Sequence, residues 1–470
     1  MNKLLYSLTF SLIAILFVFS CTKKEAIVEQ VDQEIFLGVG KWKIKKRSVS
    51  SGKNLECNLT DIILNSDLSF KIYFENNNVI VGKYQVIDQE NINLNGSEGN
   101  LGSISNIQVE DSSISFEIDL TGMCQNSLEG DKDETYQENK TFIADIEFEK
   151  YLIEQGWDDV VDNYVLTSNI NSITNIYVSL KNISSLIGIE DFTSLEGLIA
   201  DDNLLAGELN LTFNNQLKFI GLNNNDLKEV KIKSQLLETA NLGNNKIEVL
   251  EIYPTSSLKR LIIQSNQITS FDFNQYTGLQ ELYIFRNPIQ NLEVNSLNEL
   301  KTLIAHLIYS DSPLSVDLSN NPNLKILDFS ISKILEIDLT KNPLLERFAC
   351  RNCEISSNPS SIDFTNNKSL QYLEISNIGI QNIDVSPIND LKVFRARGNN
   401  AECIKVNDSQ LANIPPTCQD LDLDLENFTD IDIIGCEFYA QWIFESSPLF
   451  ESYPSSWMID ESAYYSTNCN

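Results

Sequence analysis

The stretch that decides the fold runs from Leu217 to Ile289, where one pattern returns four times. The four copies read LKFIGLNNNDL (217–227), LETANLGNNKI (237–247), LKRLIIQSNQI (258–268) and LQELYIFRNPI (279–289). Each copy fits an eleven-position template, L-x-x-L-x-L-x-x-N-x-L. One such unit cannot bury its apolar side chains alone, whereas stacked units share a continuous core. The stretch therefore predicts a solenoid.

Degenerate copies extend the repeat in both directions to eleven turns over residues 173–402. Their first positions are spaced by 20 to 25 residues and fall at Ile173, Leu195, Leu217, Leu237, Leu258, Leu279, Leu300, Leu324, Leu345, Leu370 and Leu391. The template resembles that of leucine-rich-repeat proteins. The resemblance implies one short parallel strand per turn, and an asparagine at position 9 that satisfies backbone groups at the bend. Because a spacing near 21 leaves no room for a full helix, the convex side should be extended or 3₁₀.

The solenoid needs covered ends, and both flanks carry segments suited to that. Residues 139–172 include Ile146 to Ile153, whose apolar spacing is helical. Together with Phe142, Asn182-Ile183 and Gly188-Ile189, this flank resembles the N-terminal cap of flavobacterial leucine-rich-repeat proteins. Residues 403–470 resemble their C-terminal cap through Cys403 to Asp408, Trp457 and Cys469, with an insertion at 414–455.

Residues 36–138 form a different region of short alternating strands separated by turn residues, which predicts an antiparallel barrel or sandwich. Gly40-Lys41-Trp42, Cys57, Gly82-Lys83-Tyr84 and Cys124 resemble the lipocalin-like domains of Bacteroidota lipoproteins. Such a barrel can hold a small apolar ligand or be filled by its own side chains. The expected fold is thus β-rich: an antiparallel lipocalin-like barrel, a leucine-rich-repeat solenoid and a disulfide-bonded C-terminal cap.

The N-terminus predicts the compartment. Residues 1–20 contain an apolar run from Leu8 to Phe19 that suits a signal peptide, and Val18-Phe19-Ser20-Cys21 resembles a bacterial lipobox. Phe19 departs from the small residue usual at that place. The resemblance implies lipidation of Cys21, a tether over 21–35 and, with Thr22 in place of an aspartate, an outer-membrane address in a Gram-negative bacterium, with the cell surface as the expected side.

The net charge narrows the kind of partner. A net charge of −32 repels phosphate backbones and argues against a nucleic-acid partner.

The cysteines indicate disulfide bonds. In an exported chain, cysteines are first interpreted as disulfides. Their positions suggest the pairs Cys57–Cys124, Cys403–Cys469 and Cys418–Cys436. Cys350 and Cys353 fall at an inward position and at the bend, where two structural thiols are expected, the second as a weak donor.

The arginines are concentrated on one face. Six of the seven occupy positions 3, 5, 7 or 8, although these 44 positions in 470 residues would hold about one by chance. Arginine and tyrosine are enriched in interface anchors, so the sequence predicts a concave binding face with an aromatic part and a cationic part. The candidates are Arg260, Tyr283, Phe285, Arg286, His306, Arg347, Arg351, Arg395 and Arg397. Alternatively, these arginines pair laterally with Glu281, Asp328 and Glu374 and serve the fold.

Catalytic patterns are not found: the chain has one histidine and no Walker A, G-x-S-x-G or H-E-x-x-H motif. The sequence therefore predicts no enzyme, no metal and no cofactor. The expected function is recognition of a macromolecule, a protein by first choice and a glycan by second, on the concave face. The alternatives are a carrier of a small apolar ligand in the barrel, or a structural envelope scaffold.

Overall fold

In a computed structural model the chain forms an eight-stranded closed barrel followed by a parallel solenoid, which confirms the predicted fold class. The structure describes residues 38–48, 58–96, 99–357, 359–414, 456–460 and 462–469. The predicted signal peptide, Cys21, the tether, Cys57, Cys418 and Cys436 lie outside the described residues. No helix in the described part of the chain is long and apolar enough to cross a membrane.

The barrel is an antiparallel sheet in which each strand pairs with the next, and the first strand also pairs with the eighth. This closure removes both sheet edges. The strands are β1 (Gly40–Ser48), β2 (Leu59–Leu64), β3 (Ser69–Phe74), β4 (Val79–Val86), β5 (Ile92–Gly96), β6 (Gly99–Glu110), β7 (Ser113–Leu120) and β8 (Cys124–Lys132).

The described interior of the barrel is filled by its own side chains. Alternate residues of the strands point inward, and Trp42, Phe70 and Ile72 are fully buried there. The Phe70 ring lies against Gly82, where a Cβ atom would come within 2.7 Å of it. Of the two outcomes open for such a barrel, this packing matches the side-chain-filled one and does not favour a carrier role.

A short mixed segment connects the barrel to the repeats. Its helix α1 (Ile146–Glu154) begins at Asp145, whose Oδ1 accepts hydrogen bonds from the Glu147 and Phe148 N–H groups. The other Asp145 oxygen accepts from Ser184, which attaches the helix to the first turn. The remaining elements are β9 (Lys140–Phe142), β10 (Tyr164–Leu166), α2 (Thr167–Ile170) and a 3₁₀ segment (Ile189–Asp191).

The solenoid presents a twelve-stranded parallel sheet on its concave side. Position 4 of each turn points into the core, while positions 3 and 5 face outward. Its strands are β11 (Asn175–Tyr177), β12 (Gly197–Ile199), β14 (Phe219–Gly221), β16 (Thr239–Asn241), β18 (Arg260–Ile262), β19 (Glu281–Tyr283), β20 (Thr302–Ile304), β21 (Ile326–Asp328), β23 (Arg347–Ala349), β25 (Tyr372–Glu374), β27 (Val393–Arg395) and β29 (Ser456–Met458).

The convex side is extended, with one further 3₁₀ segment at Phe273–Gln275, as the repeat length predicts. Parallel strands also form there, in three small sheets. They are β13 (Ala206–Leu211), β15 (Asp226–Ile232) and β17 (Val249–Ile252); β22 (Lys333–Ile334) and β24 (Glu354–Ile355); and β26 (Ile383–Asp384), β28 (Cys403–Lys405) and β30 (Tyr464–Ser466).

Buried asparagines connect successive turns at the concave-side bend. Asn287 is fully buried; its Nδ2 donates to the carbonyls of Ile263, Ile284 and Phe285, and its Oδ1 accepts from the Ile268 N–H. Asparagines at position 9 of four other turns make similar bonds: Asn203, Asn225, Asn245 and Asn266. In two later turns position 9 holds Ser332, whose hydroxyl donates to Ala305 O, and Asn399.

A second series of buried asparagines lies on the opposite side of the core and was not predicted. Its members stand three residues before position 1, and the side-chain amide of each donates to two backbone carbonyls of the preceding turn. They are Asn214, Asn321, Asn342 and Asn367. The recurring N-x-x-L spacing is the sequence signal that could have identified them.

The C-terminal cap continues both sides of the solenoid. β29 pairs with β27 on the concave sheet, while β30 pairs with β28 on the convex side. The predicted Cys403–Cys469 disulfide is confirmed. Cys124 is disulfide-bonded as well, and its predicted partner Cys57 is outside the described residues. A helix, α3 (Asp408–Ala412), precedes the predicted insertion, which begins at 414.

The barrel packs side-on against the solenoid. The turn between β3 and β4 meets β13, where the Glu208 N–H donates to the Asn76 carbonyl at 2.8 Å. Lys71 of β3 reaches Asp191 at 2.6 Å and Glu190 at 3.2 Å. Apolar side chains of both units close the same interface: Ile63, Tyr73, Val79, Ile187, Phe142 and Phe213.

Candidate ligand-binding face

Positions 3, 5 and 7 of the repeat form three parallel columns on the concave side, because the strands pair in register from turn to turn. Adjacent members of a column are one strand spacing apart, about 4.8 Å. The candidate residues fall on these columns with one exception, Arg286. Arg286 occupies position 8, where the chain bends with a φ of 54°, and it borders the face.

In the first turns of this face, two glycines make room for side chains of the following turn. Gly197 leaves room for the Phe219 ring, to which a Cβ atom there would come within 2.1 Å. Gly243 does the same for Gln264, whose amide would lie 2.2 Å from an added Cβ. Side chains of one turn thus lie flat over the backbone of the turn before it.

The predicted aromatic part is present, but it is closed. Tyr283 and Phe285 pack with Ile262 and Ile304 into a cluster whose members are at most 8% exposed. Burial raises the pKa of Tyr283 to about 12. These side chains bury one another, because apolar residues in neighbouring turns stand close enough to touch, and little of the predicted aromatic part faces solvent.

His306 belongs to the same cluster. Its ring stacks on Phe285 with a centroid distance of 4.3 Å, and its Nδ1 lies 3.3 Å from the buried Asp328 carboxylate. The Ser330 N–H donates to the other Asp328 oxygen at 2.8 Å. Stacked on Phe285 and close to Asp328, His306 takes part in the packing of the central turns.

Arg260 follows the lateral-pairing alternative. Its Nε lies 3.2 Å from Glu281 in the next turn, and its guanidinium lies 5.5 Å from the centroid of the Tyr283 ring. Both side chains of the ion pair are about one-third exposed, so the pair contributes little to stability. For this arginine, the neighbouring carboxylate is the partner that the structure shows.

The C-terminal arginines are brought together. Arg351, Arg395 and Arg397 line one pocket of about 60 Å³. The pocket is completed by Glu374, Ser376, Asn377 and Met458. Arg347, predicted with them, is at position 3 beside Tyr372 and outside the residues that line the pocket.

The pocket floor is charged and buried. Arg395 is 4% exposed and Glu374 is 1% exposed, and the two are paired neighbours on β27 and β25. Burial raises the pKa of Glu374, while the Ser376 hydrogen bonds and the Arg395 and Arg351 charges oppose that rise. The floor thus combines one cation and one carboxylate, while Arg351 and Arg397 stand half-buried at the sides.

The segment that presents Arg351 differs from expectation. The two cysteines around it are joined as a Cys350–Cys353 disulfide rather than being separate thiols. Both are buried, and the Cys353 sulfur lies 3.2 Å from the Phe329 carbonyl oxygen, at the place where other turns have an asparagine amide. A disulfide sulfur carries no proton to donate, so this bend is closed covalently instead of by a hydrogen bond.

Sequence reasoning identified the arginines of the pocket but missed Met458 and the role of Ser376. Met458 comes from the C-terminal cap, which adds one more strand beside β27. Ser376 could have been found from the sequence. It is a small residue at position 7 of turn 10, and the turns before and after it have an arginine at the same position. In the described residues no group of three or more histidine, cysteine or acidic side chains could hold a metal ion.

Comparison with known proteins finds partial matches to solved structures only. No protein-family model matches the chain, and no curated protein matches it. The functional domain of InlJ from Listeria monocytogenes, described as including a cysteine ladder, is 20% identical; the match covers 57% of this chain and 68% of that one, with a TM-score of 0.42. A leucine-rich-repeat protein of Leptospira interrogans is 18% identical, covering 51% and 80%, with a TM-score of 0.37.

Proposed function

We propose that this protein binds a protein partner on the concave face of its solenoid and that the C-terminal arginine pocket is the main contact site on that face. The observation that carries the proposal is the pocket itself: three of the seven arginines of an acidic chain converge on one small cavity. Arginine is enriched in interface anchors because its planar fork makes several directed hydrogen bonds. A glycan partner remains the second choice.

A photo-crosslinking scan tests the proposed face. A benzophenone amino acid is placed at Tyr177 or Arg347 on the concave side, and at Asp317 or Asp338, which are exposed on the convex side. We expect one shared crosslinked protein from the concave positions only. Crosslinks to that protein from the convex positions alone would contradict the proposal.

We further propose that Cys21 is lipidated and anchors the protein in the outer membrane, facing outward. The support is the lipobox-like Val18-Phe19-Ser20-Cys21 after an apolar run. Several acyl chains on one cysteine bury enough methylene groups to hold a protein stably at a membrane. As part of the same proposal, the barrel is a lipocalin-like domain related to those of Bacteroidota lipoproteins.

Replacing Cys21 with alanine should release the protein from the membrane, because the acylated thiol is lost. Membrane fractionation of intact cells measures this, and protease treatment of the same cells reports the side faced. We expect the wild type in the outer-membrane fraction and cleaved from outside. A membrane-bound Cys21→Ala variant would rule out this anchor, and a wild type protected from protease would place the solenoid in the periplasm.

A further inference from the structure

We propose that the pocket between Arg351 and Arg397 binds a single carboxylate of an acidic peptide segment in the partner, seated over Ser376. This inference rests on the proposed function and specifies the chemistry of its main contact site. The pocket residues come from turns 9, 10 and 11 and from the cap strand β29.

The spacing of the two arginines suits a carboxylate. Arg351 and Arg397 both stand at position 7, two turns apart, so their backbones are separated by about 9.6 Å. Ser376, at position 7 of the turn between them, is small and mostly buried, and it leaves the gap open. Two guanidinium forks on either side of such a gap can each donate to one carboxylate oxygen.

The floor of the pocket limits the charge that fits. Glu374 is buried beneath the gap next to Arg395, so the described residues that line the pocket combine three arginines with one acidic side chain. A carboxylate brings one negative charge close to Glu374, whereas a dianionic phosphate would bring two and meet a larger repulsion from that side chain. A volume of about 60 Å³ also suits a small planar group.

Both arginines are presented by restrained bends. The Cys350–Cys353 disulfide closes the loop that contains Arg351. On the other side, the Gly398 N–H donates to Asp460 at 2.9 Å, and the Asn399 amide donates to the carbonyls of Ile375 and Ala396. A site whose donors are held before binding loses less conformational freedom when the ligand arrives.

Calorimetric titration of the full-length protein tests the inference with defined peptides. The probe is acetyl-(Gly-Glu)₄-amide, with acetyl-(Gly-Gln)₄-amide as the uncharged control, a peptide with one free C-terminal carboxylate to separate chain ends from side chains, and inorganic phosphate as a further arm. We expect the acidic peptide to bind, the glutamine peptide not to bind, and phosphate to bind more weakly.

Variants distinguish binding at the pocket from unspecific attraction between opposite charges. Arg351→Gln and Arg397→Gln should each weaken binding of the acidic peptide roughly 10- to 100-fold, the range for one charge-assisted hydrogen-bonding group. Ser376→Leu keeps every charge but fills the gap, and it should weaken binding as strongly. Arg286→Gln removes one charge outside the pocket, and it should leave binding within about twofold. Thermal unfolding of each variant checks that it is folded.

Each outcome decides the inference. Equal losses for Arg286→Gln and Arg397→Gln, or full binding by a folded Ser376→Leu variant, would overturn it in favour of unspecific attraction. Phosphate binding tighter than the acidic peptide would overturn the carboxylate assignment. If no acidic peptide binds while crosslinking still identifies a concave-face partner, this inference fails and the proposed function stands. If crosslinking gives no concave partner, the proposed function fails as well.

Discussion

Replacing Asn287 with alanine is expected to lower the free energy of unfolding by about 4 kcal/mol. The amide of this fully buried side chain donates to three backbone carbonyls and accepts from the Ile268 N–H. Alanine removes these bonds from a site that water does not reach, so backbone groups of two turns lose a partner at a cost of roughly 1 to 3 kcal/mol each. Chemical denaturation measures the change.

A matched control is Asn291→Ala, only four residues further along the chain. Asn291 is exposed, and its amide donates to Glu293 at 2.8 Å. Its loss should change stability by about 0.5 kcal/mol or less, as for most surface substitutions. In a solenoid each turn contacts its neighbours only, so hydrogen exchange in Asn287→Ala should rise first around turns 5 and 6. Equal stability of the two variants would refute the structural role of the buried amide.

Replacing Lys71 with methionine is expected to cost about 3 to 5 kcal/mol, the usual effect of breaking one side of a buried ion pair. The Lys71 ammonium lies between Glu190 and Asp191, and Glu190 is 4% exposed. Although burial by itself lowers the pKa of Lys71, the two carboxylates raise it above its usual range. Without the ammonium, two like charges remain together in the interface between barrel and solenoid.

The measurement is calorimetric unfolding combined with small-angle scattering. We expect the Lys71→Met variant to unfold at lower temperature and the barrel to separate from the solenoid. Lys83→Met is the matched control, since the Lys83–Asp67 pair is exposed on both sides and such pairs contribute about 0–1 kcal/mol. Adding Glu190→Gln and Asp191→Asn to Lys71→Met should recover part of the loss. An unchanged scattering profile and melting temperature would show that the ion pair does not hold the units together.

The interface also shows where sequence reasoning stops. Lys71 and Glu190 are 119 residues apart, and neither stands in a motif. Each looks like an ordinary surface charge of an acidic chain. They become partners only because a barrel strand packs against the first turns of the solenoid. That packing depends on the complementary shapes of two surfaces, which a periodic sequence pattern does not predict.

The concave face likewise has features that the sequence predicts and features that it does not. Its columns could be predicted, because a repeat with one strand per turn places equal positions side by side. Which side chains remain accessible could not. Tyr283 and Phe285 were predicted as the aromatic part of the face, and in the structure they pack against Ile262 and Ile304, while Arg260 turns toward Glu281. Rotamers and lateral contacts decide accessibility, and both depend on the neighbours in adjacent turns.

The sequence by itself determined the solenoid, its eleven turns and the column positions, because apolar spacing and stacking are local and repetitive, and it suggested the Cys403–Cys469 bond that the structure confirms. The tertiary structure decided the rest. It joined Cys350 to Cys353, closed the aromatic cluster, docked the barrel on the solenoid, and assembled Arg351, Arg395 and Arg397 around Ser376 with Met458 from the cap. Apart from the disulfide, these features bring together side chains from different turns or domains, and their energies depend on distances that exist only in the folded chain.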